Sequence, residues 1–361
     1  MNFSYPIKET ERVAYSFTFT NTELETGFAA VQEIIASPRT DDDIDSYYET
    51  LAAEANDVSQ NIYLVPGDPL DFDAGLNSSL LTPSTEPGFI DLYGNEFNDF
   101  TFKTSWSQST LNRGRMATRG GSQSLALEVT IPGSDLEFYK LSYNAQLFLP
   151  ITGDWIVRLR TKLGYGDGFG DVEELPFFQN FYSGGFGSVR GFESNTLGPR
   201  STSAIDYNAI DNCTRSVDVG DDITTTTSCD VGSVVDKLSY VSGLGGEKLR
   251  TIPLDSDPDP FGGNLLVESS VELLFPLPFI KDLSSIRSAF YFDVGNVFST
   301  DCRASQLNCT DFELSELRYS VGVGMTWVTG FGPLTFSYSK AFNESEYDEI
   351  KNFQFSLGKS F

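Results

Sequence analysis

The sequence predicts an all-β protein, a transmembrane antiparallel β-barrel with long extracellular loops. Three observations carry that prediction. Apolar and polar residues alternate with period two from residue 99 to the end of the chain. No run of about 18 consecutive apolar residues exists, so no helix is long and apolar enough to span a bilayer. Long or acidic connections alternate with brief ones, as outer loops and inner turns do in a membrane barrel.

Composition narrows the function classes. A soluble chain of 361 residues would form two or more domains, whereas a barrel runs long as one unit. The net charge of −27 argues against nucleic acid, whose binders cluster Lys and Arg to displace counterions. Much of the acid lies in expected loops, such as Asp41, Asp42, Asp43 and Asp45. Histidine is absent, which removes Ser/His and Cys/His catalysis and the commonest zinc sites. The cysteines form two local pairs, Cys213 with Cys229 and Cys302 with Cys309, in polar, turn-rich segments. Local disulfides of an oxidising compartment fit them, but four cysteines allow three connectivities, and their spacing matches no metal site.

The elements follow in order. A short strand at 2–7 opens the chain, and KETE at 8–11 turns it into a strand near 13–20. A long acidic segment at 25–97 leads to a strand at 100–110, and the basic turn NRGRMATRG at 112–120 leads to SLALEVTI at 124–131. There Leu125, Leu127, Val129 and Ile131 share one face, while Ser124, Ala126, Glu128 and Thr130 share the other. GSDLE at 133–137 is a brief connection on the side where the others are long. Strands at 138–149 and 155–165 flank the tight turn ITGDW, and a segment of about a hundred residues at 166–263 follows. Strands at 265–275, 286–298, 317–328, 334–339 and 353–361 complete a set of eleven. Lipid cannot satisfy stray backbone groups, so such strands must pair throughout. Trp155, Tyr165, Phe275, Phe298, Trp327 and Phe361, near strand ends, suit interfacial aromatic girdles.

Strand parity then assigns charges to the inner face. A cation on the lipid side at mid-depth costs about 2–4 kcal/mol, so Arg158, Arg160 and Lys162 point inward. Glu268 and Glu272 follow by the same logic, and outward Phe290, Phe292 and Val294 leave Asp293 inside. The stretch GGFGSVRGFESNTLG at 184–198 places a lone Arg190 in the large loop just before these acids. Folded back inside, its planar guanidinium could take both Glu272 and Asp293. Gly191 would permit a tight turn, and Phe192 would pack on the inner wall. On spacing alone, a solvent-exposed loop arginine is the rival reading.

The run FYSGGFGSVRGFESNTLGP at 181–199 resembles the VRGF/Y signature of the outer-membrane assembly and two-partner secretion superfamily. Its likeness is to the BamA family, the barrel subunits of the β-barrel assembly machinery. EVTIPGSDLEFYKLSYNAQLFLPI (128–151), VELLFPLPF (271–279), FYFDVGNVF (290–298), GPLTFSYSKAF (332–342) and FQFSLGKSF (353–361) are similar to later strands of that family. The resemblance spares only the acidic loop at 25–97 and the Cys-bearing part of the large loop at 203–260.

The resemblance implies that Val189, Arg190, Gly191 and Phe192 form a loop-lock motif paired with Glu272 and Asp293, holding the wall opposite a lateral seam. It implies that residues 1–361 are the C-terminal part of a sixteen-stranded barrel, without the family's periplasmic POTRA domains and first five strands. It implies folding and insertion of unfolded outer-membrane proteins in the bacterial outer membrane, without bond chemistry, nucleotide, metal or other cofactor. The partners it implies are outer-membrane lipid and lipopolysaccharide, client proteins and accessory assembly lipoproteins. The last strand, with Phe353, Phe355, Leu357, Gly358 and Phe361, would form one side of the seam and template an incoming strand. A polypeptide-secretion translocator of the same superfamily, a passive porin-like channel and a soluble all-β binding protein are the alternatives.

Overall fold

The structure is a computed structural model, and the residues described are 2–24, 88–114, 116–202, 240–242, 248–250, 258–277, 285–303, 306–330 and 332–358. The chain divides into two units. One comprises Met1–Leu24, Tyr93–Ser201 and Asp259–Phe361, and the other Glu25–Leu92 and Thr202–Pro258.

The first unit is built on one antiparallel sheet of eleven strands. Its first six, consecutive in sequence and space, are β1 (Asn2–Lys8), β2 (Glu11–Glu23), β3 (Glu96–Ser109), β4 (Gly120–Thr130), β5 (Phe138–Thr152) and β6 (Trp155–Gly168). The large loop follows, carrying the two-residue strand β7 (Gly191–Phe192). In the second unit, β8 (Tyr240–Ser242) and β9 (Lys248–Arg250) form a small hairpin, and the short helix α1 (Phe89–Tyr93) lies largely in that unit too. The sheet resumes with β10 (Leu265–Phe275), which pairs directly with β6, and continues through β11 (Ile286–Phe298), β12 (Arg318–Thr329) and β13 (Gly332–Phe342). The two-residue strand β14 (Ile350–Lys351) leaves the sheet to pair with β7, and β15 (Phe353–Leu357) closes the order. β1 and β15 are the two edges of the sheet and do not pair with each other among the described residues.

The two faces invert the pattern of a soluble sheet. Phe290, Phe292 and Val271 are 49%, 43% and 48% exposed, whereas Asp293 and Glu272 on the opposite parity are 0% and 1% exposed. A sheet that leaves its apolar face uncovered and buries its carboxylates is built for lipid outside and for polar pairing inside. The aromatic outer surface packs laterally: Trp155 stacks on Phe275, and Phe275 on Phe290, with centroids 5.8 and 4.7 Å apart. Phe298 departs from the girdle assignment. It is fully buried and meets the Phe312 ring edge-on at 5.2 Å, because the 299–317 connection folds back over it. Phe361 lies outside the described residues, as do Cys213 and Cys229 and residues 25–87 of the acidic loop. Cys302 and Cys309 are joined by a disulfide.

Candidate functional site

The inner face is furnished by register. Across β6, β10 and β11, Arg158 pairs with Glu272, which pairs with Tyr291, while Arg160 pairs with Ser270, which pairs with Asp293. Two successive inward rows therefore carry both cations and both acids side by side. The tip of the large loop descends onto them.

Arg190 is 2% exposed and sits between the two carboxylates. Its Nε donates to Asp293 Oδ2 at 2.6 Å, and its Nη2 donates to Asp293 Oδ1 at 2.7 Å and to Glu272 Oε1 at 2.8 Å. The Arg190 backbone N–H also reaches Asp293 Oδ2, at 3.1 Å. Beneath it, the guanidinium lies 3.4 Å from the centre of the Tyr291 ring, a cation–π contact made strong by the absence of competing water. Burial alone would depress this guanidinium, but the charges of Asp293 and Glu272 outweigh it and hold Arg190 above its usual range. Gly191 has φ +95°, a conformation strained for any other residue, and a Cβ there would stand 3.0 Å from Ser339 Cβ and press on it.

Neighbouring contacts complete the seat. Ser270 Oγ donates to Asp293 Oδ1 at 2.5 Å, and Arg158 Nη1 holds the other oxygen of Glu272 at 3.1 Å. Arg160 donates to the carbonyls of Gly187 and Ser188 at 2.8 and 2.9 Å, and Lys162 donates to Gly187 at 2.8 Å. Glu268 accepts from Ser183 Oγ at 2.9 Å and from Ser188 Oγ. The inward charges read from parity are thus brought together around one loop tip. Ser270 and Tyr291 were not singled out from the sequence, although they share the parity of Glu272 and Asp293. The serines of the tip carry no such signal.

The tip is not confined to the wall that carries the acids. β7 pairs with β14, the Glu193 N–H donates to the Glu349 carbonyl at 2.7 Å, and Gln354 Nε2 on β15 donates to the Phe192 carbonyl at 2.6 Å. Lys351 Nζ lies 2.6 Å from Glu193 Oε2 and lowers that carboxyl below its ordinary range through this hydrogen bond. Phe192 packs with Val189, Leu197 and Ala341 of β13. The tip therefore bridges from β10 and β11 to β13, β14 and β15.

Farther along the loop, the Arg200 backbone N–H donates to the Leu307 carbonyl at 2.8 Å, and Asn308 Nδ2 donates to the Gly198 carbonyl at 2.7 Å. Arg303 pairs with Glu174 at 2.7 Å. The segment closed by the Cys302–Cys309 disulfide thus grips the loop at two places, at Glu174 and again at Gly198 and Arg200. Phe353, Phe355 and Leu357 face outward, 58%, 55% and 61% exposed, and Gly358 follows them with φ +93°. Among the described residues, no group of three or more acidic, Cys or His side chains has a geometry that could hold a metal.

Comparison with known proteins places this geometry. Residues 1–361 match the Omp85 superfamily domain. The chain is 30% identical over 311 residues to the outer membrane protein assembly factor BamA of Neisseria meningitidis serogroup B, a match covering 79% of this chain and 33% of that protein. It is 28% identical over 118 residues to the outer membrane protein assembly factor BamA of Neorickettsia risticii, covering 32% of this chain and 15% of that one. A crystal structure of BamA from Haemophilus ducreyi lacking POTRA domains 1–3 superposes with a TM-score of 0.63 at 22% identity, over 98% of this chain and 52% of that one. That likeness speaks for the fold. The chain spans well under two thirds of the length of these relatives.

Proposed function

The chain belongs to the Omp85 superfamily of bacterial outer-membrane proteins, and from that premise we propose that it forms the C-terminal barrel portion of an outer-membrane protein assembly factor. In this reading it folds and inserts other β-barrel proteins through a lateral seam, and breaks no covalent bond. Its relatives are named for that activity. The observation that carries the reading is the state of β15. Among the described residues this strand shares five residue pairs with β13, the shortest ladder of the eleven-stranded sheet, whereas β10 and β11 share eleven. A strand so lightly held can present its backbone N–H and C=O groups to an incoming strand, the chemistry of β-augmentation.

The remaining assignments belong to the same proposal. Residues 25–97 and 166–263 lie on the outer side, and the tip at 189–192 is a lock on the inner wall. Unfolded outer-membrane proteins are the clients, lipid and lipopolysaccharide surround the apolar face, and accessory lipoproteins bind outside this region. A tip seated on the inner wall by Arg190 supports this reading over a wide passive pore.

The test uses the full-length protein in lipid vesicles with a urea-unfolded outer-membrane protein as client. Folding of the client is followed by its heat-dependent electrophoretic mobility. Acceleration over empty vesicles is expected, with loss on Arg190→Ala. No acceleration, or ion conductance unaffected by the client, would overturn the proposal.

A further inference from the structure

Gln354 is the unexpected member of the tip's surroundings. The cluster of Arg190, Asp293 and Glu272 would seat the loop without touching the terminal strand. Yet Gln354, buried on the inner side of β15, donates to the Phe192 carbonyl. β14, which pairs with the tip, is separated from β15 by Asn352 alone. The last segments of the described chain are therefore joined to the locked loop through the β14 backbone, through Lys351 and, from β15 itself, through this side chain.

The ladder between β13 and β15 explains what that side chain could do. It runs from Leu334↔Leu357 to Tyr338↔Phe353 and is the shortest in the eleven-stranded sheet among the described residues. A slip by one residue would turn Phe353, Phe355 and Leu357 from lipid to the interior, so it is strongly opposed. A slip by two keeps every side chain on its own face, and the apolar pattern does not oppose it. The backbone pairing of β14 with β7, one residue away, opposes such a slip as well; within β15 itself, what changes is the residue under the Phe192 carbonyl. A slip in one direction brings Ser356 there, whose hydroxyl is too short to span the distance that a glutamine amide covers. A slip in the other brings Asn352, one methylene shorter than Gln and tied by its carbonyl to the Ser339 N–H at 2.9 Å.

We propose that Gln354 is a register-setting residue: beside the β14–β7 pairing, its hydrogen bond to the locked loop tip fixes β15 against two-residue slippage and so sets the alignment in which β15 receives a strand. One buried polar group selecting one register among apolar equivalents is the device that a single core asparagine supplies in a coiled coil. The inference rests on the strand-templating reading above. It adds that the lock and the template are one unit, with Arg190 holding the tip and Gln354 reading its position.

The test uses the full-length protein in vesicles, with a photoreactive benzoylphenylalanine in place of Leu357. The probe is a synthetic peptide with the sequence of residues 353–361. Crosslinked positions on the peptide are read by mass spectrometry. The parent should give one dominant register. Gln354→Leu should give two or more registers and about fivefold weaker capture, the factor that corresponds to one lost hydrogen bond. Gln354→Asn, which keeps polarity but not reach, should behave the same way and serves should the Leu variant fail to fold. Gln354→Leu combined with Ser356→Gln should restore a single register displaced by two residues, a shift that a merely structural role would not produce. A single parental register in Gln354→Leu or Gln354→Asn would overturn the inference alone. No crosslink at β15 in the parent would overturn the templating reading, and the inference with it.

Discussion

Removing the Arg190 side chain should destabilise the protein chiefly through Asp293. In Arg190→Ala, Glu272 keeps Arg158 at 3.1 Å. Asp293 loses the donors at 2.6 and 2.7 Å and keeps only the backbone N–H at 3.1 Å and Ser270 Oγ at 2.5 Å. A fully buried carboxylate is then left without its ion pair. Breaking such a pair from one side costs about 3–5 kcal/mol, and the surviving hydrogen bonds and the nearby Arg160 place the expected loss near about 3 kcal/mol. Adding Asp293→Ala removes the stranded charge, so the double variant should recover about 1 kcal/mol or more relative to Arg190→Ala. The assay is equilibrium urea unfolding of the full-length protein in detergent micelles. With a slope of about 3 kcal/mol per M, the single variant should lose roughly 1 M of midpoint. A midpoint within about a tenth of the parent's, or a double variant whose loss is the sum of the two singles, would refute the reasoning.

Four further outcomes are expected. Gly191→Ala forces a left-handed conformation on alanine and drives its Cβ toward Ser339. The tip should unseat, at a cost of about 1–3 kcal/mol, and added protease should cleave the large loop faster. Opening the Cys302–Cys309 disulfide by reduction or by a double serine substitution should lower stability by on the order of 2 kcal/mol, read as a lower unfolding midpoint, and should also expose the loop. Glu193, held below its ordinary value of 4.5 by Lys351, contributes above that value. The contribution should fade as pH drops through its lowered range, and Lys351→Met should abolish this pH dependence of loop proteolysis; both side chains are solvent-exposed enough to keep the effect small. Phe355→Arg places a cation on the lipid face of β15, and membrane insertion should weaken by about 2–4 kcal/mol at mid-depth, measured as the folded fraction in vesicles.

Most of the sheet was legible because lipid imposes a strict period-two code on long strands. On β11, outward Phe290, Phe292 and Val294 leave Asp293 inside, and on β10 the cost of a charge in lipid turns Glu272 inward, where both are buried. The code weakens wherever an element is short or a residue packs under a loop. Phe298 follows a strand-end pattern but is covered by its own connection. β14 is two residues long and has no period to read. Gln354 and Phe192 lie 162 residues apart, and nothing local in either sequence announces the other. Ser183 and Ser188 belong to a loop whose course is set by charges on the wall beneath it, so their place on Glu268 follows from tertiary structure alone. The pairing of Cys302 with Cys309 is settled by three-dimensional proximity, where counting cysteines left three choices.

The account stands on a loop tip that rests on the buried, polar face of the sheet, against Asp293 and Glu272. Its most direct test is crosslinking in intact outer-membrane vesicles, with cysteines replacing Ser188 on the loop and Glu268 on β10, whose side chains touch. A short bis-thiol reagent should join them rapidly, while a cysteine at Val271 on the lipid face should give no product with residue 188. Failure of the 188–268 crosslink, together with labelling of residue 188 by an impermeant maleimide from outside, would contradict the account.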